Sequence, residues 1–285
     1  MGRGARGARA SACAVVVGSI ELVPLLDAVG ELGELAELYP ETSADEWEPY
    51  RALYPALFAG SSWRVPCACF LIRAGEQTVL VDTGIGPPGL WDWGAEAEGG
   101  LPRALEEHGV GRDEVDVVFL THLHIDHVGW NTDHSGAVFF PRARYVVHRD
   151  GLAFVRTQGE RPHVQRCIAP LMNRFEAIDG DVEIAPDVTA FAAPGHYSGH
   201  MGLRIVSGRA QVVLIADSAV HPALLDNPDW VYISDGDPRA CADTRRGLLE
   251  ELTDRDVLVA CGHYPGSGIG RIVSREGRVV WEETT

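Results

Sequence analysis

Short apolar runs recur along the chain, each closed by a turn-forming or charged residue. Val65 to Arg73 and Thr78-Val79-Leu80-Val81 read as strands, the second running directly into Asp82-Thr83-Gly84. Val115 to Leu120 has the form of a short buried strand, and alternation through Ile20-Glu21-Leu22-Val23 predicts an edge strand or hairpin. Further strands are expected at Arg144–His148, near 182–193 and at Val257–Ala260. Leu203–Val206 and Gln211–Ala216 form a hairpin through Ser207-Gly208, and Arg271–Ser274 with Val279–Trp281 forms a terminal one. Helical spacing of Trp47, Tyr50, Leu53, Leu57 and Phe58 within 31–58 predicts a surface helix more than an insertion covering a pocket. Leu101–His108, stretches within 149–176, and Arg239–Leu252 also read as helices. Residues 85–100, rich in Gly and Pro and carrying Trp91 and Trp93, read as a long loop. Strands interleaved with helices predict a layered α/β architecture. With no linker or repeat in view, 11–285 is expected to be a single domain behind a disordered tail over 1–10. That tail carries Arg3, Arg6 and Arg9 and superficially resembles a signal peptide, but the apolar run after it breaks at Gly18-Ser19.

Composition narrows the partners. The chain has 285 residues, 46% of them hydrophobic, enough for a sizeable core. Its formal charge of −17 argues against nucleic acid, which basic grooves bind. No apolar run approaches the roughly 18 residues that span a membrane, so a soluble protein without a membrane partner is expected. The cysteines (Cys13, Cys67, Cys69, Cys167, Cys241, Cys261) are scattered, with a C-x-C at 67–69 and no C-x-x-C. Reduced thiols in a cytoplasmic protein are the simplest account, with Cys261, two residues before His263, expected as a buried structural thiol more than as a group near the site. A homodimer is compatible with all of this.

The chemistry concentrates in Thr121-His122-Leu123-His124-Ile125-Asp126-His127-Val128-Gly129-Trp130. Three imidazoles and a carboxylate within six positions, just beyond a predicted strand, would repel or titrate unless a cation held them. Nitrogen and oxygen donors together suit zinc first, then iron or manganese. Other ligands must come from further along. His196 follows a Pro-Gly turn, Asp217 ends the apolar run Val213-Leu214-Ile215-Ala216, and His263 follows Cys261-Gly262. His200 is expected behind a ligand, bonding it or the backbone.

These residues resemble the metallo-β-lactamase-fold hydrolases. The resemblance rests on the H-x-H-x-D-H run (His122, His124, Asp126, His127), the P-G-H turn at His196, Asp217, His263 and the strand ending in Asp82-Thr83-Gly84, and spans about residues 65–272. The segment Asp217 to His221-Pro222, the pair Trp130-Asn131 and His263-Tyr264-Pro265-Gly266 look most like the branch of quorum-quenching lactonases and methyl-parathion-hydrolase-like enzymes. The resemblance implies a four-layer αβ/βα sandwich with two divalent metal ions, most simply zinc, at one sheet edge. It implies that His122, His124 and His196 hold one ion, that Asp126, His127 and His263 hold the other, and that Asp217 bridges them. Asp82 would orient a ligand histidine.

Such a centre ionises a water between the metals, and the hydroxide attacks a lactone or related ester carbonyl of a small, partly apolar substrate. Asp217 and Asp126 are the catalytic carboxylates on this reading, Asp126 being a ligand first. No Gly-x-Ser-x-Gly elbow competes as a nucleophile. The tyrosine that the lactonases place three residues beyond the bridging aspartate is Val220 here. Tyr197 and Tyr264 are candidates to replace its hydroxyl, with packing the plainer role. His221 is expected either at substrate or behind a ligand, and Trp130 at the pocket wall. A phosphotriesterase with the same site, a mononuclear iron enzyme acting on persulfides, and a binding protein with a structural metal are the competing readings.

Overall fold

The computed structural model describes residues 14–91 and 99–284. The expected tail over 1–10, Cys13 and Trp93 lie outside them. Two mixed sheets carry the described chain. One runs in the order Val15–Val17, Ile20–Glu34, Ser62–Ala74, Gln77–Val81, Val117–Phe119, Arg144–His148, Phe175–Ile178, with Phe58–Ala59 pairing on Ser62–Ala74. The other runs Arg278–Glu283, Ile269–Arg275, Leu258–Ala260, Ala210–Leu214, Met201–Ser207, Val188–Ala192, Val182–Ala185.

Strand side chains alternate between the two faces of each sheet, and here both faces are buried. Val117 and Phe119 join Ile72, Val79, Leu203 and Leu214 in one core between the sheets. Val118, Leu71 and Leu80 point the other way, onto Leu105, Val155 and Ile168 of the outer helices. Val213 and Val259 likewise face outward, against Trp47, Leu224 and Leu248. The result is helix, sheet, sheet, helix. That explains why the strands read as unbroken apolar runs rather than as alternating ones.

Three expectations change. Of the two readings of Ile20 to Val23 the hairpin holds, Val17 pairing with Ile20 across Gly18-Ser19, and the edge does not: the strand Ile20–Glu34 lies between Val15–Val17 and Ser62–Ala74. That strand also consumes residues 31–34, so only Leu35–Leu38 and Ala44–Leu53 are α-helical in the predicted surface helix. Its aromatic stripe is buried: Trp47 and Tyr50 are 1% and 2% exposed, inside the core beneath the second sheet. Finally, the stretch 149–176 ends in a strand at Phe175–Ile178. Among the described residues no helix is long and apolar enough to cross a membrane.

Parallel pairing places the reactive segments together. Val81 pairs with Phe119 and Leu214 with Ala260, each in a parallel register. The chain therefore leaves each pair of strands at the same edge, delivering Asp82 beside His122 and Asp217 beside His263.

Candidate metal centre

Each residue of the cluster follows a strand end. His122 comes three residues after Val117–Phe119, His196 four after Val188–Ala192, Asp217 three after Ala210–Leu214 and His263 three after Leu258–Ala260. Two of these turns require glycine. At Gly195 (φ +130°) an added Cβ would stand 2.3 Å from the Cys241 amide nitrogen, and at Gly262 it would stand 2.4 Å from the Ala68 carbonyl oxygen. Backbone is what it would strike, so a side chain at either position would displace the histidine that follows.

The structure brings all seven predicted ligand residues together. His124 Nδ1 lies 3.0 Å from both His122 Nε2 and His196 Nε2. Asp217 Oδ2 lies 3.7 Å from His122 Nε2, 3.3 Å from His196 Nε2 and 3.4 Å from His127 Nε2. Its other oxygen stands 3.3 Å from His263 Nε2, and Asp126 Oδ2 stands 3.6 Å and 3.7 Å from His263 Nε2 and His127 Nε2. The carboxylate of Asp217 thus faces both halves of the cluster.

The far side of each ring is occupied by a fixed partner, which decides where its other nitrogen points. His127 Nδ1 donates to Asp82 Oδ2 at 2.8 Å, His196 Nδ1 to Asp235 Oδ1 at 3.0 Å and His263 Nδ1 to the Pro66 carbonyl at 2.8 Å. Their Nε2 atoms are left to converge. Among the described residues His127 Nε2 makes no hydrogen bond, its nearest carboxylate oxygen being that of Asp217 at 3.4 Å, and a cation between them would satisfy it. His122, His124, His196 and Asp217 offer ligand atoms within 4.8 Å of one another, as do His127, Asp217 and His263. This donor set fits two divalent ions.

The electrostatics are those of a crowded cation site. Burial, reinforced by the neighbouring imidazoles, holds His122 and His124 well below the usual imidazole range. Burial also opposes charge on His196, but hydrogen bonds to Asp217 and Asp235 win and raise it to about 9. Asp217 stays ionised far below the usual range: His263, His127 and His122 outweigh its burial.

The remaining predicted residues separate. Asp82 holds His127 as expected, and also accepts from the Thr121 amide at 2.8 Å. His200 donates from Nδ1 to the Ala193 carbonyl at 2.7 Å and accepts the Asp217 amide on Nε2 at 3.0 Å, so it fixes Asp217 through the backbone. Tyr197 lines a cavity beside His124, its ring edge-on to that imidazole at 4.7 Å. Of the other three, Trp130 and His221 are corrections, while Tyr264 takes the plainer packing role rather than a place at substrate. Trp130 lines neither of the two cavities beside the cluster: its indole donates to Asp27 Oδ1 at 2.9 Å and packs on Phe139. His221 is fully buried among Trp47, Tyr54, Phe58 and Trp63, with Nδ1 accepting the Ala223 amide, and lines neither of the two cavities beside the cluster. Tyr264 is 1% exposed and packs on Trp281 in the core. Trp91 anchors its loop through a 2.9 Å bond to the Ile85 carbonyl, and Cys261 is buried against the Ala216 carbonyl.

Sequence reasoning missed four residues. Asp235 accepts from His196 and from Arg245, a residue that is itself only 2% exposed. Tyr232 lines the cavity over the cluster. Asp27 sits at an irregularity in the strand Ile20–Glu34 and accepts from the Ile85, Gly86 and Leu101 amides and the Trp130 indole. It ties both ends of the 85–101 loop to Trp130. Its one sequence signal is a carboxylate inside the apolar run Leu25-Leu26-Asp27-Ala28-Val29.

Burial outweighs those four donors and pushes the Asp27 carboxyl up to about 6, from 3.8. The folded chain therefore holds this proton more tightly than the unfolded one, a contribution present below pH 4 and lost as pH rises through 6. Relative to Asp27→Asn, which cannot titrate, the wild type is expected to lose about 3 kcal/mol of stability across that window. Urea unfolding of both proteins at a series of pH values checks the sign; a difference that stays flat refutes it.

Two cavities of about 610 and 360 Å³ open over the cluster and share His124, Arg161, His196 and Ser234. The smaller has apolar walls from Leu32, Trp63, Val65, Ile125 and Val220. That is the size and character of a small-molecule site.

The family profile of the Metallo-beta-lactamase superfamily matches residues 62–263. An N-acyl homoserine lactonase from Bacillus cereus is 30% identical over 223 residues, covering 73% of this chain and 84% of that protein. N-acyl homoserine lactonase AiiA from Bacillus thuringiensis subsp. kurstaki is 28% identical over 227 residues, covering 73% and 85%. Among solved structures, AidC, a dizinc quorum-quenching lactonase in complex with a product, superposes with a TM-score of 0.83 at 22% identity, over 96% of this chain and 97% of that one. The hydrolase AbOPH gives 0.81 at 22% identity, over 95% and 97%. This chain belongs to the metallo-beta-lactamase superfamily.

Proposed function

We propose that the protein is a dinuclear metal-dependent hydrolase that opens lactones, with N-acyl homoserine lactones as the substrate class to test first. The observation that carries this is the position of Asp217, one oxygen toward His122, His196 and His127 and the other toward His263. His122, His124 and His196 would hold one ion, Asp126, His127 and His263 the second, and Asp217 both. Zinc is the metal of choice for imidazole and carboxylate donors. When bound, such a pair supplies an ionised water and a Lewis acid for the carbonyl.

The chain's own part is orientation, exclusion of water and charge. Asp82, Asp235 and the Pro66 carbonyl fix three ligand rings in one tautomer, so no reorganisation accompanies the reaction. Trp63, Val65 and Val220 give the apolar part of a substrate a dry wall beside the cluster. The sequence relatives are named for lactone hydrolysis, which supports the same reading.

The test is turnover of N-hexanoyl-L-homoserine lactone beside aryl esters, phosphotriesters and β-lactams, on protein of known metal content. Lactone hydrolysis is expected to vanish after dialysis against a chelator and to return on adding zinc. Undiminished lactone turnover in metal-free protein, or phosphotriester turnover far above lactone turnover, would overturn the proposal.

A further inference from the structure

The polar lining of the smaller cavity, outside the proposed ligand set, is Arg161, His163, Tyr232 and Ser234. Tyr232 is set apart from the others by how rigidly it is held. Its ring lies parallel to the His196 imidazole (centroids 6.2 Å apart, 5° between planes), edge-on to Trp63 at 5.9 Å and against Tyr39 at 5.3 Å. Its amide donates to Asp235 Oδ2 at 3.3 Å, the carboxylate that also holds His196. The next residues are stitched down as well: Ile233 to the Leu38 carbonyl at 3.0 Å, Gly236 to the His196 carbonyl at 3.0 Å and Asp237 to the Gly195 carbonyl at 2.8 Å. By contrast Arg161 is exposed on a turn. Val220 offers only methyl groups to the same wall.

We infer that Tyr232 is a further catalytic residue, its phenol donating a hydrogen bond to the substrate carbonyl oxygen as negative charge develops there. This rests on the hydrolase reading above. A preorganised donor aimed at charge that appears only in the transition state lowers the barrier without tightening ground-state binding. The proton stays on Tyr232 throughout. Burial, with Asp126, Asp217 and Asp235 adding to it, outweighs a hydrogen bond with the Ser234 side chain and lifts the phenol above its ordinary value, so it stays a neutral donor. The apolar walls of Trp63 and Val65 strengthen a hydrogen bond made there.

The test is Tyr232→Phe, which keeps the ring and its stacking. On N-hexanoyl-L-homoserine lactone, kcat is expected to fall about 10²-fold with little change in KM. Metal content by mass spectrometry should match wild type. Calorimetry with the ring-opened N-hexanoyl-L-homoserine should show affinity reduced about tenfold, the loss of one hydrogen bond to an oxygen in a dry site. Wild-type kcat in the variant, or unchanged product affinity, would overturn the inference. So would loss of metal along with rate, because Tyr232 would then act by holding His196. Failure of the hydrolase reading looks different: the wild type itself turns over no lactone, while product calorimetry on the two proteins still decides whether the phenol meets ligand.

Discussion

Asp217→Asn is expected to lower the bound metal from two equivalents to one or none and to cut kcat/KM on lactone by about 10³-fold or more, some 4 kcal/mol of barrier. The substitution is nearly isosteric, so the fold should survive. What changes is charge and one set of lone pairs. Asp217 Oδ2 faces His122, His196 and His127 at 3.3–3.7 Å while Oδ1 faces His263 at 3.3 Å. An amide can offer an acceptor to one side only and must turn an N–H₂ toward the other. It also removes the anion whose partners His263, His127 and His122 hold it ionised far below the usual carboxylate range. Metal content measured alongside the rate decides the matter. A variant that keeps two ions and wild-type turnover would show that the carboxylate bridges nothing.

How much of this was readable from the chain depends on distance along it. The strands were legible because burial on both faces leaves an unbroken apolar run such as Val117-Val118-Phe119. The grouping of His122, His124, Asp126 and His127 was legible because four donors are packed into one loop. His196, Asp217 and His263 each carry only a weak local signal, a turn or an apolar run ahead of them, and became a pattern when taken together. Trp47 and Tyr50 misled because helical spacing gives the direction a side chain takes and not what it meets; here the face is covered by His221, Trp230 and Trp63 from remote segments. Asp235, Arg245 and Tyr232 could not be read at all. Their roles rest on contacts between separate segments, such as Ser218 to Arg245 across 27 positions and His196 to Asp235 across 39, which leave no period or motif behind. Trp130 shows the opposite error, since proximity to His127 in sequence suggested the pocket while its indole turns back to Asp27.

Arg245 carries the second large effect. Its guanidinium donates to Asp235 Oδ2 at 2.8 Å, to the Ser218 carbonyl at 2.7 Å and to the Trp230 carbonyl at 2.8 Å, and the side chain is essentially without solvent. Arg245→Met keeps most of the volume but strands the Asp235 carboxylate in a site where its own ion pair is 1% and 0% exposed. Breaking a buried pair on one side costs about 3–5 kcal/mol, which for a chain of this length lowers the melting temperature by roughly 10 °C. Adding Asp235→Asn removes the stranded charge, so the double variant should recover much of that stability. It should not recover metal affinity. His196 Nδ1 would then face an amide in place of the carboxylate it donates to at 3.0 Å, and loss of such a partner typically costs 10- to 100-fold in affinity. Thermal unfolding of the metal-free proteins and metal titration of the same pair separate the two contributions. If stability and affinity return together in the double variant, Asp235 serves only to neutralise Arg245, and its hold on His196 contributes nothing.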